Sequence, residues 1–136
     1  MFSVEAPVFQ QLAAKIADDI VAGVYPEESA VPSATDFAAF HRMNPATASK
    51  GVNLLVELGA LYKQRGVGMF VASGARELLK KVRRDEFRTQ FLRPMLKEAH
   101  VVDISSEELH HLIDEEERER TGHDERDRDP IRHPRL

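Results

Sequence analysis

The sequence predicts a mainly α-helical fold carrying one small β-hairpin, and three observations in its 136 residues predict it. Apolar residues recur at three- and four-residue steps in separate segments, the mark of helices with one buried face. Two of those segments, 33–40 and 44–58, are so close that only a short turn fits between them. Two extended runs, 61–65 and 69–72, then follow, joined through Gly66-Val67-Gly68.

Pro7 opens the first helix, in which Val8, Phe9, Leu12, Ile16, Ile20 and Val21 share a face, and Gly23 ends it as a residue free to turn left-handed. The link 24–32 holds Pro26 and Pro32 and is expected to carry no element of its own. Ser33 is an N-cap, Asp36 suits a first turn, and Phe37, Ala38 and Phe40 form the inner face. His41, Arg42 and Met43 make the turn. Asn44 caps the next helix, with Pro45 tolerated at its first position. Ala48, Val52, Leu55, Val56 and Leu58 define its buried stripe, and Ala46, Thr47, Ser49, Lys50 and Asn53 its polar face.

A short helix, a tight turn and a longer helix with small polar residues at its front form a helix-turn-helix, whose second helix fits a DNA major groove. No carboxylate occurs between Asp36 and Glu57, although the chain has 23 acids. An acid-free window containing Arg42 and Lys50 is what phosphate contact requires. Taken alone, the stretch is also compatible with a helical hairpin in an ordinary core. The hairpin after it decides between the two, because it forms a wing: Lys63 and Arg65 lead to its tip, and Gly66 and Gly68 let the backbone come close to a phosphate.

Residues 75–99 read as one long helix, or a helix bent near Pro94. Leu78, Leu79, Val82, Phe87, Phe91, Leu92, Met95, Leu96 and Ala99 form an apolar seam too long for a small winged domain to cover. Ser105 or Ser106 caps a last helix with Leu109, Leu112 and Ile113 inside. The expected organisation is a winged domain over 1–74, a helical dimerisation region over 75–120, and a charged, disordered tail over 121–136. The basic stretch 76–97 reads as a solvated helix face, with a second DNA-contacting surface as the alternative.

Composition narrows the function classes. Hydrophobic residues make up 42% of the chain, enough for a core, and the net charge is −4 with the acids concentrated towards the C-terminus. There is no cysteine, so disulfides and thiolate chemistry are excluded, and a cytoplasmic protein without membrane contact is expected. No framed nucleophile or phosphate-binding glycine loop points to an enzyme, and no cofactor is implied. His110 and His111 are adjacent and point about 100° apart on a helix, so they do not make a metal site together.

Over roughly residues 7–99 the chain resembles the GntR family of transcriptional regulators, and within it the small YtrA-like subfamily. The likeness rests on Pro7-Val8-Phe9 through Gly23, Val31-Pro32-Ser33, Asn44-Pro45-Ala46-Thr47, Leu58-Gly59, and Arg65 through Val71, in order and at the family's spacing. The resemblance implies a symmetric homodimer and an operon often encoding an ABC transporter; two-fold symmetry then predicts a roughly palindromic double-stranded operator, and a compact dimer on it blocks polymerase, a bias to repression. The expected DNA contacts are Ser33, Thr35, Arg42, Asn44, Ala46, Thr47, Ser49, Lys50, Lys63, Arg65, Gly66 and Gly68. Leu79, Val82, Phe87, Phe91, Leu92, Met95, Leu96, Leu109, Leu112 and Ile113 are expected to join the two copies. Two departures stand out: Thr35 occupies the place of a usual arginine, and Asn44-Pro45 that of Ser-Arg in many relatives. A winged-helix protein-interaction module is the alternative reading, and no small-molecule effector is named by the residues.

Overall fold

The computed structural model describes residues 6–127, the side chains to residue 123, and divides into two compact units, one ending at Gln90 and the next beginning at Phe91. The first unit is built around a buried cluster drawn from every one of its elements. Helix α1 (Val8–Ala22) contributes Leu12, Ile16 and Ile20, and Gly23 at φ +86° ends it with its N–H directed to Asp19 and Ile20 carbonyls. Helix α2 (Ala34–His41) adds Phe37, α3 (Pro45–Leu58) adds Val52 and Leu55, and strands β2 (Leu61–Gln64) and β3 (Gly68–Val71) add Leu61 and Val71. Each such side chain, fully buried, contributes roughly 1.5–3 kcal/mol by transfer from water.

Helix α3 is the centre of this unit, packed on α1, α2 and β2. Its Gly51 permits that: a Cβ there would lie 2.6 Å from the Phe9 carbonyl oxygen and 3.3 Å from Leu12 Cδ2. Only a residue without a side chain lets the two backbones approach so closely.

The link 24–32 does hold an element, contrary to the sequence expectation. Ala30–Val31 form a strand, β1, paired antiparallel to β3 with Ala30 opposite Phe70 and Val31 opposite Met69, so the sheet has three strands in the order β1-β3-β2. Two residues are too short to display alternation, and their partner lies far along the chain. The link is further tied down by Glu28 N–H to the Val71 carbonyl at 2.8 Å, Val71 N–H to the Ser29 carbonyl at 3.0 Å, and Tyr62 Oη–H to Glu28 Oε2 at 2.9 Å.

Helix α4 (Ala75–Phe87) also belongs to the first unit. Arg76 Nε–H donates to the Val21 carbonyl at 2.9 Å, capping the end of α1, and Arg83 pairs with Asp18. Leu79 is fully buried in the unit's core. The expectation that Leu79 faces a second copy is therefore corrected: its apolar surface is consumed within its own chain. Beyond α4, Arg88–Leu92 forms a π-helical turn and α5 (Arg93–Val101) starts with Pro94 in its first turn. A wide turn ahead of a proline absorbs the missing N–H and the bulk of the ring, which locates the irregularity foreseen near Pro94.

In the second unit α5 and α6 (Ser106–Asp127) are joined by a tight corner, with Ile104 N–H on the Ala99 carbonyl at 2.8 Å. Ser105, rather than Ser106, is the cap: its hydroxyl accepts from the Glu108 N–H at 3.1 Å. Ala99 and Leu109 are buried, whereas Phe91, Met95, Leu96, Leu112 and Ile113 are exposed. Helix α6 continues through Thr121 to Asp127, where the sequence reading expected a disordered tail; the rest of that tail, residues 128–136, lies outside the described residues. No helix among the described residues is long and apolar enough to cross a membrane.

Candidate nucleic-acid interface

The entry to α2 is set by a reciprocal cap. Ser33 Oγ accepts from the Asp36 N–H at 3.1 Å while Asp36 Oδ2 accepts from the Ser33 N–H at 3.2 Å, so the first-turn carboxylate is engaged with backbone. Thr35, in the same turn, is exposed. At the other end Arg42 adopts φ +52°, directing its N–H to the Ala38 carbonyl and reversing the chain into α3. A left-handed arginine is unusual, and here it makes the turn between the two helices while its side chain stays exposed. His41 beside it stacks on Phe37, ring centroids 6.3 Å apart.

Asn44 Oδ1 accepts from the Ala46 N–H at 2.7 Å, so Asn44 is the cap that the sequence predicts. Ala48, Gly51, Val52 and Leu55 then turn inward, which leaves Ala46, Lys50 and Asn53 exposed and Thr47 and Ser49 half-buried. Lys50 is held in place: its Nζ lies 4.2 Å from the centroid of the Phe9 ring. A cation over a ring at the surface is worth about 0.5–1 kcal/mol, enough to bias the rotamer of exposed Lys50 and too little to prevent the ammonium from moving onto a phosphate.

The wing turns at Gly66, φ +78°, and Gly68, φ +144°, conformations that a side chain strongly disfavours. Val67 between them is 67% exposed, and Lys63 and Arg65 are exposed on the run leading to the tip. Tyr62 stacks on Phe70 at 5.7 Å, and its hydrogen bond to Glu28 holds the phenol above its ordinary range, since the neutral form donates that bond.

A cleft of about 220 Å³ opens where these elements meet, lined among others by Ser33, Thr35, Ser49, Lys63 and Gly68. Five residues selected from sequence are thereby brought together from α2, α3 and the wing. Ala46, Ser49 and Lys50 share a second strip along the outer side of α3. Arg42, Asn44, Thr47, Arg65 and Gly66 line neither, and lie at the turn, the front of α3 and the wing tip. Asn53 lines both clefts; its sequence context places it on the polar face of α3 without marking it as a contact. Of the residues expected to join two copies, Val82 and Leu92 are half-buried, Phe87 is 56% and Phe91 61% exposed.

Hydroxyls, one amide and a lysine ammonium around a shallow cleft can bind anionic and hydrogen-bonding surfaces, and they offer no nucleophile paired with a base. Near the histidines of α6, His111 Nε2 lies 3.1 Å from Glu115 Oε1; among the described residues no three His, Asp or Glu side chains gather around one point.

A helix-turn-helix backed by a three-stranded sheet whose last two strands form the wing defines a winged helix-turn-helix protein. No family model matches the chain. Among curated proteins it is 25% identical over 109 residues to the HTH-type transcriptional repressor YtrA of Bacillus subtilis (strain 168), covering 80% of this chain and 83% of that one. It is 36% identical over 67 residues to the HTH-type transcriptional regulator YurK of the same organism, spanning 49% of this chain and only 28% of YurK. The crystal structure of a GntR-family transcriptional regulator from Bacteroides thetaiotaomicron superposes with a TM-score of 0.70 at 29% identity, over 84% of this chain and 99% of that one. S. agalactiae BusR in complex with its busAB-promotor DNA superposes with a TM-score of 0.55 at 25% identity, over 80% of this chain and 54% of that one. The chain shares its fold with a GntR-family transcriptional regulator and is similar in sequence to HTH-type transcriptional regulators.

Proposed function

We propose that the chain is a YtrA-like repressor that binds a roughly palindromic DNA operator as a homodimer. The observation that carries this reading is the joint surface of α3 and the wing: an exposed polar strip on α3, a cleft shared with α2 and β2, and the cations Lys50, Lys63 and Arg65, without a carboxylate on the front of the reading helix. Thr47 and Lys50, with Ser49, face bases or phosphates at the front of α3; Thr35, Arg42, Lys63, Arg65 and the Gly66 and Gly68 backbone make phosphate and groove contacts, and Ser33 and Asn44 orient the two helices. BusR, which shares this fold, was solved on promoter DNA, and YtrA is a repressor; both support the assignment.

The helical region after the winged unit joins the copies. Exposed Phe91, Met95, Leu96, Leu112 and Ile113, all within the second unit, supply apolar surface for it, with half-buried Leu92 next to Phe91 in sequence and Phe87 at the end of α4. A compact dimer sitting on its operator excludes polymerase without needing an activating surface, and an operon for an ABC transporter near its own gene is the expected target.

The test is a fluorescence-anisotropy titration of the purified chain against its own upstream intergenic DNA and a scrambled duplex of equal length. Tighter, salt-sensitive binding to the upstream fragment is the expected result. No binding to either duplex at low salt would replace the proposal with a protein-interaction module.

A further inference from the structure

We infer that Asn53 is a further side chain through which α3 reads a base edge, while Lys63 across the same cleft grips the neighbouring phosphate; this rests on the DNA-binding reading above. Three observations carry it. Ala46, Ser49, Lys50 and Asn53 recur at helical spacing on one exposed strip, which runs roughly 10 Å from Ala46 to Asn53 at about 1.5 Å per residue, the height of about three base pairs. Asn53 stands where that strip meets the cleft of Ser33, Thr35 and Lys63, so both an approaching base edge and its backbone come within the reach of one pair of side chains.

The second observation is chemical. Along α2 and α3 Asn53 is the sole side-chain amide, and among the described residues it makes no hydrogen bond. Asn44, at the cap, has committed its carbonyl to the Ala46 N–H. A free amide offers a donor and an acceptor in one plane, the pair that matches N6 and N7 of adenine in the major groove; the hydroxyls and cations around it cannot present both in that geometry. Third, Glu57 follows one turn after Asn53 on the same strip. Its carboxylate is repelled by phosphate, which makes Asn53 the last residue of α3 that the groove can accommodate.

The experiment is selection from a randomised duplex pool by the full-length wild type and by Asn53→Ala, Asn53→Gln and Lys63→Ala, each checked by far-UV circular dichroism. Asn53 is exposed, and alanine is the better helix former, so folding is retained. The wild type is expected to enrich symmetric half-sites with A·T at one fixed position. Asn53→Ala should relax that position alone, by roughly 5- to 100-fold in preference, and leave affinity for the unselected pool unchanged. Asn53→Gln, with the same amide carried further out, should shift the preference rather than erase it. Lys63→Ala should weaken selected and unselected DNA by the same factor. An Asn53→Ala consensus identical to the wild type's at every position overturns the proposal. A wild type that enriches nothing overturns the DNA-binding reading, and this inference with it.

Discussion

Gly51 shows how a single residue sets the geometry of the interface. With the Phe9 carbonyl 2.6 Å from a would-be Cβ, Gly51→Ala must push α1 and α3 apart, and overpacking of this kind costs about 1–3 kcal/mol. A urea midpoint lowered at unchanged slope is the expected result; an unchanged midpoint would mean that the two helices slide freely. Tyr62 gives a second prediction. Its phenol is raised because the protonated form donates to Glu28, so the associated stabilisation is present below pH 10.0 and is lost as pH rises through the folded-state value. In a Tyr25→Phe background, absorbance titration should find Tyr62 ionising above pH 10.0, and Glu28→Gln, which keeps a weaker acceptor and removes the charge, should bring the midpoint down. No change on removing that charge would sink the assignment. The single-residue signals that were legible in the sequence are the local ones: Ser33, Asn44 and Pro45 declare helix starts because their chemistry acts within a turn of chain. Gly51 was silent because its reason lies in α1, and Asn53 because an amide on a polar face acquires meaning only once the cleft beside it is seen.

At the scale of elements, the same division holds. The helices and the wing are written in apolar spacing and glycine placement, whereas β1 exists because β3 pairs with it, and two residues hold no period. Helix α4 is the instructive case. Its apolar spacing marks a seam without saying what covers it; Leu79 is buried in the winged unit, with Arg76 and Arg83 docking the helix there, whereas Phe87 at its end is exposed. Leu79→Ala should therefore lower the unit's stability by about 2–5 kcal/mol through the cavity it leaves. Thermal denaturation of a chain truncated after Gln90 is the check, since in that piece a dimer-only residue would have no effect at all. Helix α6 illustrates the opposite error: a charge-rich segment without core formers still continues as a helix to Asp127.

For the whole molecule, the proposal joins two functions in one chain: α3 and the wing meet DNA, and the helices after them meet a second copy. Apolar side chains exposed in the second unit, Phe91, Met95, Leu96, Leu112 and Ile113 among them, make the dimer readily open to contradiction. Phe91→Asp should halve the mass seen in sedimentation and weaken operator binding, because each half-site is then held by one winged unit alone; a dimer that survives it would remove that residue from the interface. Within the winged unit, Lys50→Ala should weaken operator and random DNA alike, while Thr47→Ala should change which operator is preferred.

The most direct test of the central claim, that cations around α3 and the wing of both copies seat on phosphates, is the salt dependence of binding to a duplex of random sequence. If each copy neutralises four or five phosphates, the slope of log affinity against log salt is about −7 to −9. That slope, reduced by about two in Lys63→Ala, is the predicted result. A slope near −2, unchanged by the substitution, would contradict the placement of the interface on this face (roughly two phosphates per dimer).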